Sequence, residues 1–170
     1  AFGIPLQFEK TFTEGISEIR AQDVAFAAEL GYRIKHLGIT RRCGHGIEMR
    51  VHPTLVPHRR LIANVDGVMN AVLVKGDAVG PTLYYGAGAG SLPTASAVLA
   101  DVVDVTRVLT TDPDNRVPHL AFQPEELSDT PVLSMDEVES AYYLRIAALD
   151  QPGVMAKIAG ILGDEGISIE

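Results

Sequence analysis

With 170 residues, 46% of them hydrophobic, and a net charge of −8, the chain can bury one ordinary core, or one core plus a small module. No apolar run reaches the ~18–20 residues of a membrane span, no basic stripe offers a nucleic-acid surface, and the single cysteine, Cys43, excludes an intramolecular disulfide and suits a reducing compartment such as the cytoplasm. The charge is uneven: residues 1–109 sum to +1, residues 110–138 to −6 and residues 139–170 to −3.

The first residues, Ala1-Phe2-Gly3-Ile4-Pro5, have neither the charged region nor the long apolar stretch of a signal peptide. The lack of an initiating Met and the ending Ile167-Ser168-Ile169-Glu170 suggest a piece of a longer polypeptide. Residues 6–13 alternate apolar and polar, which predicts a half-buried strand. A helix is expected over 21–30, with Ala21, Val24, Ala27 and Ala28 as a small-residue face and Phe26 and Leu30 as its anchors. Gly31 sits where a left-handed residue stops a helix, whereas Arg20 is a poor cap for its start.

Residues 32–40 read as a strand, and Arg41-Arg42-Cys43-Gly44-His45-Gly46 as a hairpin connection whose glycines admit positive φ. Ile47 to His52 alternates: Ile47, Met49 and Val51 should face a core, and Glu48, Arg50 and His52 should face out. Pro53 and Pro57 should end this strand, because proline cannot donate to a ladder. After a turn at Asp66-Gly67, residues 70–75 form a strand, and Gly76-Asp77 returns the chain antiparallel through 79–85.

The stretch Tyr84-Tyr85-Gly86-Ala87-Gly88-Ala89-Gly90-Ser91-Leu92-Pro93-Thr94-Ala95 then joins strand to helix. Its glycines let a ligand approach the main chain closely. The free N–H groups and positive dipole end of the following helix favour an anion. In that helix Ala95, Val98, Leu99, Val102, Val105 and Leu109 make one stripe, expected to be buried. Ser91 can cap it, Pro93 is tolerated in the first turn, and Asp104 can pair with Arg107. A dinucleotide fingerprint would need Gly-x-Gly-x-x-Gly between parallel strands. Here the last position is Ser91 and the next segment is acidic and proline-rich, so a self-contained nucleotide site is rejected. Two readings stay open: a turn without ligand, or a loop closing a cofactor site built mostly elsewhere.

Residues 110–138 hold Pro113, Pro118, Pro124 and Pro131 among seven carboxylates, as a linker or wrapping segment would, with 117–122 able to pack locally. Residues 142–149 read as a strand, Asp150-Gln151-Pro152-Gly153 as a turn, and 154–165 as a helix with Val154, Ile158, Ile161 and Leu162 on one face. Gly166 ends it and Ile167-Ser168-Ile169 starts another strand. Such a βαβ half cannot cover its own sheet face, which implies a continuation or a partner.

Other candidates have a plain reading beside the chemical one. Cys43, His45, His52 and His58 match no standard zinc spacing and suit a turn or solvent. Arg41, Arg42, Arg59 and Arg60, like Lys10, Lys35 and Lys75, are expected at the surface. No metal ligand or catalytic residue is assigned.

Gly86-Ala87-Gly88-Ala89-Gly90 with Pro93-Thr94-Ala95 and Val98 resembles the late glycine motif of homoserine dehydrogenases. So do Glu14-Gly15-Ile16-Ser17, Glu29-Leu30-Gly31-Tyr32-Arg33-Ile34-Lys35 and Asn70-Ala71-Val72, in the right order over residues 1–109. Residues 142–170, with Asp150-Gln151-Pro152-Gly153-Val154, resemble the first half of an ACT module, the regulatory domain of many bacterial homoserine dehydrogenases. The resemblance implies an α+β catalytic and dimerisation region over 1–109 with a mixed, largely antiparallel sheet and packing helices. It implies a linker over 110–138 and a partial ACT-like βαβ module over 139–170.

The reaction it implies is reduction of aspartate 4-semialdehyde to homoserine with NADH or NADPH, on the way to threonine, methionine and isoleucine. Gly86, Gly88, Ala89 and Gly90 would border the cofactor, with backbone N–H groups from Gly88 to Gly90 as donors. The Rossmann domain and the catalytic Asp/Lys helix of the family lie before the position matching Ala1, so the chain alone should be inactive. Asp150, Gly153, Val154 and Met155 would border an amino-acid effector, threonine in the family. A homodimer or homotetramer is implied. The rival reading is a non-enzymatic amino-acid-sensing or assembly module of the ACT type, and the plain reading of the 150–155 turn is an ordinary strand–helix connection with Asp150 as cap.

Overall fold

A two-residue turn, Gly44-His45, folds the centre of the first hundred residues into a long hairpin. The computed structural model describes residues 2–111, 118 and 121–169. They fall into two compact units, Ala1–Ser140 and Ala141–Glu170. In the first, β1 (Phe12–Thr13), α1 (Ala21–Glu29), β2 (Tyr32–Cys43), β3 (Gly46–Pro57), β4 (Met69–Gly76), β5 (Gly80–Ala87) and α2 (Ser91–Leu109) follow in chain order. The second holds α3 (Val154–Asp164). The strands form two sheets, a mixed one in the order β1-β3-β2 and an antiparallel pair β4-β5. This is an α+β arrangement, with its strands divided between two small sheets where one mixed sheet was expected.

β3 runs through Pro53, which was expected to end it, and stops at Pro57, as expected. The reason is its hydrogen-bond parity. The Ile47 N–H donates to the Pro131 carbonyl, and the Ile47 and Val51 carbonyls accept from the N–H groups of Leu133 and Glu14. Odd-numbered residues of β3 thus bond on the side away from β2. Pro53 and Pro57 share that parity and pair with His36 and Tyr32 at positions where β2 asks no N–H of them. β1 covers this far edge only at Arg50 and Val51.

Neither glycine near the hairpin turn has a positive φ, contrary to expectation. Gly46 is needed for space: a Cβ there would lie 2.8 Å from both Leu133 Cγ and the Pro131 carbonyl. The segment around 131–133 crosses β3 at this point, with a parallel bridge between Ile47 and Val132. The acidic stretch therefore lies along the start of β3, and its Leu133 and Val138 are buried, as are Ala27, Ile47, Val56 and Ala63. Half of the stretch 117–122, where local packing was expected, falls outside the described residues. Phe122, which is described, lies 3.1 Å from where a Gly3 Cβ would sit.

α1 begins at Ala21 although Arg20 offers no side-chain cap. Asp23 supplies the reciprocal half of a cap, its carboxylate accepting the Arg20 N–H at 2.9 Å. Gly31, with φ 79°, ends the helix as expected. The buried face is Asp23 and Ala27, whereas the expected anchors Phe26 and Leu30 are 37% and 63% exposed. The amino-terminal alternation yields only the two-residue β1, after a single 3-10 turn at Phe8–Lys10. β4 and β5 pair antiparallel as expected, from Met69↔Ala87 to Gly76↔Gly80.

In the second unit α3 closes with a left-handed Gly166 at φ 71°. The N–H groups of Gly166 and Ile167 donate to the carbonyls of Gly163 and Leu162, the pattern that satisfies a helix end. Residues 142–149 and 167–169 were expected as strands, but neither stretch joins a ladder among the described residues. A strand is defined by its ladder, and the described residues give neither stretch one.

Candidate functional site

The glycine loop is delivered by β5 and leaves as α2. Its three glycines answer to different demands. A Cβ on Gly86 would meet nothing within 4 Å. Gly90, the residue before α2, has φ 128° and ψ 151°, a region that only glycine occupies without strain. Gly88 has no positive φ. Its Cβ would collide with the Asn70 amide nitrogen and lie 3.0 Å from Asn70 Cγ.

The loop backbone is tied down at few points. The Val68 carbonyl accepts the Gly88 N–H at 3.3 Å and the Asn70 Nδ2–H at 3.2 Å. The Gly88 N–H, expected as a donor to a ligand, is therefore already engaged. The Gly90 carbonyl accepts from Thr94 at 3.0 Å, the first bond of α2. The N–H groups of Ala89, Gly90, Ser91 and Leu92 have no acceptor among the described residues. They lie beside the positive end of the helix dipole, which suits them to a negatively charged or carbonyl group. Ser91 is the first helical residue and not the cap, since Gly90 takes that place without a side chain to offer.

Two shallow clefts flank this region. One, of about 270 Å³, is lined on β4 by Asn70, Ala71 and Val72 and on β5 and the loop by residues that include Gly86 and Gly88. The other, of about 210 Å³, lies between β2, the 3-10 turn Leu61–Asn64 and the start of β4, and its lining includes Lys35, His36, Asn70 and Ala71. Asn70 and Ala71 border both. Ala89 and Gly90 line neither.

Lys35 is not the free surface lysine that was expected. Its Nζ donates to the Val65 carbonyl at 2.6 Å and to Asp66 Oδ1 at 2.8 Å, while Arg33 donates to the other Asp66 oxygen at 2.8 Å. The hydrogen bonds from Lys35 and then Arg33 hold the Asp66 carboxyl below its ordinary range.

The outward face of β3 also differs from expectation. Glu48 is 2% exposed. Its Oε1 accepts from Arg41 and, at 3.2 Å, from the Cys43 thiol, while Arg50 Nη2 lies 3.6 Å from Oε2. Burial alone would push this carboxyl up, but the hydrogen bonds from Arg41 and Cys43 and the charges of Arg41 and Arg50 outweigh it and leave it lowered. The bond to Glu48 raises the Cys43 thiol. His52 stacks edge-on against Phe12, with centroids 6.3 Å apart. Arg42 lies over the Phe2 ring at 5.7 Å. The hairpin register pairs Arg41 with Glu48, so a two-residue turn at Gly44-His45 was the signal that could have located this cluster. Asn70 directly faces Gly86 across the β4–β5 pair, a relationship that likewise follows from register alone.

The expected buried stripe of α2 is open: Val98, Leu99, Val102, Val105 and Leu109 are all more than half exposed, and α2 has no buried residue. Asp104 and Arg107 pair on it at 3.5 Å. In the second unit Gly153, with φ 88°, precedes α3, whose first residues are Val154 and Met155. Asp150 is exposed and is not the cap. The strain-free left-handed turn explains the glycine at 153. No helix among the described residues is long and apolar enough to cross a membrane.

The family model described as homoserine dehydrogenase matches residues 1–103. The chain is 67% identical over all 170 residues to a homoserine dehydrogenase of Pseudomonas aeruginosa, and 58% identical over the same length to one of Neisseria gonorrhoeae. It spans 39% of the length of each of these relatives. Among solved structures, a homoserine dehydrogenase from Thiobacillus denitrificans is 70% identical and superposes with a TM-score of 0.91, over 99% of this chain and 39% of that one.

Proposed function

The chain belongs to the homoserine dehydrogenase family, and from that membership we propose that the protein containing it interconverts aspartate 4-semialdehyde and homoserine with NADH or NADPH, with residues 1–109 as the later part of its catalytic and dimerisation region. The observation that carries the reading is the likeness to a homoserine dehydrogenase structure over nearly the whole chain, glycine loop included. When bound, the nicotinamide cofactor supplies the hydride that reduces the semialdehyde carbonyl. The residues present fit one border of such a group. Ala89, Gly90, Ser91 and Leu92 offer unspent N–H donors, and Gly86 leaves open space beside them. They can hold a polar or anionic part of the cofactor in place and exclude water from it. Most of the binding energy and all of the proton transfer belong to residues outside this chain.

Residues 110–138 serve as the connection to a regulatory ACT-like module over 139–170. The support for that module is the turn–helix at Asp150, Gly153, Val154 and Met155, where the first N–H groups of α3 would meet the carboxylate of an amino-acid effector. A second copy of the chain in a homodimer or homotetramer would complete it. The family match lies over residues 1–103, outside this stretch, which speaks against a stand-alone sensing module.

The test is to purify the full-length enzyme and the 170-residue chain side by side and follow homoserine-dependent reduction of NADP and NAD. Turnover by the full-length protein with none by the chain is the expected result. No turnover by the full-length protein with either cofactor, or clear turnover by the chain alone, overturns the reading.

A further inference from the structure

We propose that Asn70 is a positioning residue for the glycine loop, setting where residues 88–90 and the start of α2 sit. Two contacts of its side chain and one hydrogen bond beside it support this. The Val68 carbonyl accepts both the Asn70 side-chain amide and the Gly88 N–H. The Asn70 amide also fills the space where any side chain at 88 would project. Between Ala87 and the first bond of α2, the link from Gly88 to Val68 is the only backbone hydrogen bond given to the loop among the described residues. A carbonyl oxygen has two lone pairs, so the Val68 carbonyl can accept both donors at once and is held in orientation by both. Removing the Asn70 donor leaves the Gly88 bond, the one backbone tether of the loop among the described residues, without that support.

This assigns the two inner glycines separate causes. Gly88 is glycine because Asn70 is there; Gly90 is glycine because its backbone angles permit nothing else. The two causes are separable by rescue. Alanine at 88 has to displace the Asn70 amide from the place where it bonds the Val68 carbonyl, and shortening residue 70 to alanine removes that conflict. Alanine at 90 is strained by its own backbone, and no change at 70 relieves it.

The consequence for the reaction rests on the reading of the loop as a border of the cofactor. Asn70 touches neither substrate nor cofactor in this role; it acts through Gly88. Loosening the loop should weaken cofactor binding, not the chemical step.

The experiment uses the full-length enzyme with Asn70→Ala, Gly88→Ala, Gly90→Ala and the doubles N70A/G88A and N70A/G90A. Two readouts are taken: hydrogen exchange over residues 86–92 without cofactor, and KM for NADP(H) against kcat. N70A is expected to speed exchange across the loop while exchange in β2 and β3 is unchanged. Its cofactor KM should rise roughly three- to tenfold, the scale of one lost hydrogen bond, with kcat nearly constant. G88A should be worse than N70A, and N70A/G88A should recover to the level of N70A alone. N70A/G90A should be no better than G90A. Unchanged exchange in N70A, or G88A that N70A fails to rescue, overturns the positioning role. Faster exchange and successful rescue with an unmoved cofactor KM uphold the positioning role and overturn the cofactor reading of the loop.

Discussion

Leu133 occupies the space that a side chain on Gly46 would need, with its Cγ 2.8 Å from the position of that missing Cβ. This contact fastens the acidic segment to the start of β3, next to the Ile47–Val132 bridge. Gly46→Ala has to push the segment off or bend the hairpin. Overpacking of this kind costs about 1–3 kcal/mol, whereas Leu133→Ala, which empties a site now 6% exposed, should cost about 2–5 kcal/mol. Urea unfolding of the full-length protein measures both. The double variant G46A/L133A should be less unstable than the sum of the two, because the new methyl enters the vacated space. Strict additivity would show that the two residues do not share this contact.

Glu48 makes stability depend on acid. Its carboxyl is lowered in the folded chain, so the charged form is favoured by folding. The stabilisation is therefore complete above the ordinary glutamate value of 4.5 and is lost as pH falls through the lowered folded value. Glu48→Gln should flatten that part of the acid-unfolding curve. Glu48→Ala leaves Arg50 buried without its anion and should cost about 3 kcal/mol at neutral pH, the low end for a broken buried pair because Arg41 is largely exposed. An acid limb of equal steepness in E48Q would remove Glu48 from the account.

Elements governed by neighbours in sequence were legible from the residues alone. The β2–β3 and β4–β5 hairpins follow from short turns between apolar runs, and α1, α2 and α3 from their 3.6-residue spacing. Gly31 and Gly166 end helices by local backbone geometry. What depends on distant residues was not legible. Pro53 looks like a strand breaker until the parity of β3 shows that its missing N–H faces away from β2. Glu48 looks solvent-facing until Arg41, seven residues earlier, is placed opposite it. Gly88 looks like a phosphate-binding glycine, yet its space is taken by Asn70. The α2 stripe has the right period for burial, but burial needs a cover, and within the described residues none lies against it.

That open stripe leads to a further expectation. Val98, Leu99, Val102, Val105 and Leu109 add up to an apolar strip along a 19-residue helix. Monomeric proteins rarely expose so continuous a patch. The 170-residue chain in isolation should self-associate, and V98E/V102E should reduce that association in light scattering. If residues outside this chain or a second copy cover the strip in the full-length enzyme, the same double substitution should instead lower stability there. A full-length V98E/V102E enzyme as stable as the parent would mean that α2 stays open to solvent there too.

The second unit should be separable from the first. The division falls between Ser140 and Ala141, and the residues that anchor the acidic segment, Leu133 and Val138, lie before it. Ending the full-length protein after Ser140 therefore keeps every strand, both hairpins and the glycine loop, which lie in the first unit. On the proposed reading the shortened enzyme keeps its kcat and cofactor KM but no longer responds to an amino-acid effector, with threonine as the first probe. Gly153→Ala is the milder version: a left-handed residue at φ 88° forced to carry a Cβ costs about 1–2 kcal/mol, enough to shift the turn before α3. It should weaken the response to threonine while basal turnover is unchanged. If the parent enzyme responds to threonine and the shortened enzyme responds equally, residues 141–170 are not the regulatory module, and the turn at 150–155 is a strand–helix connection with no ligand.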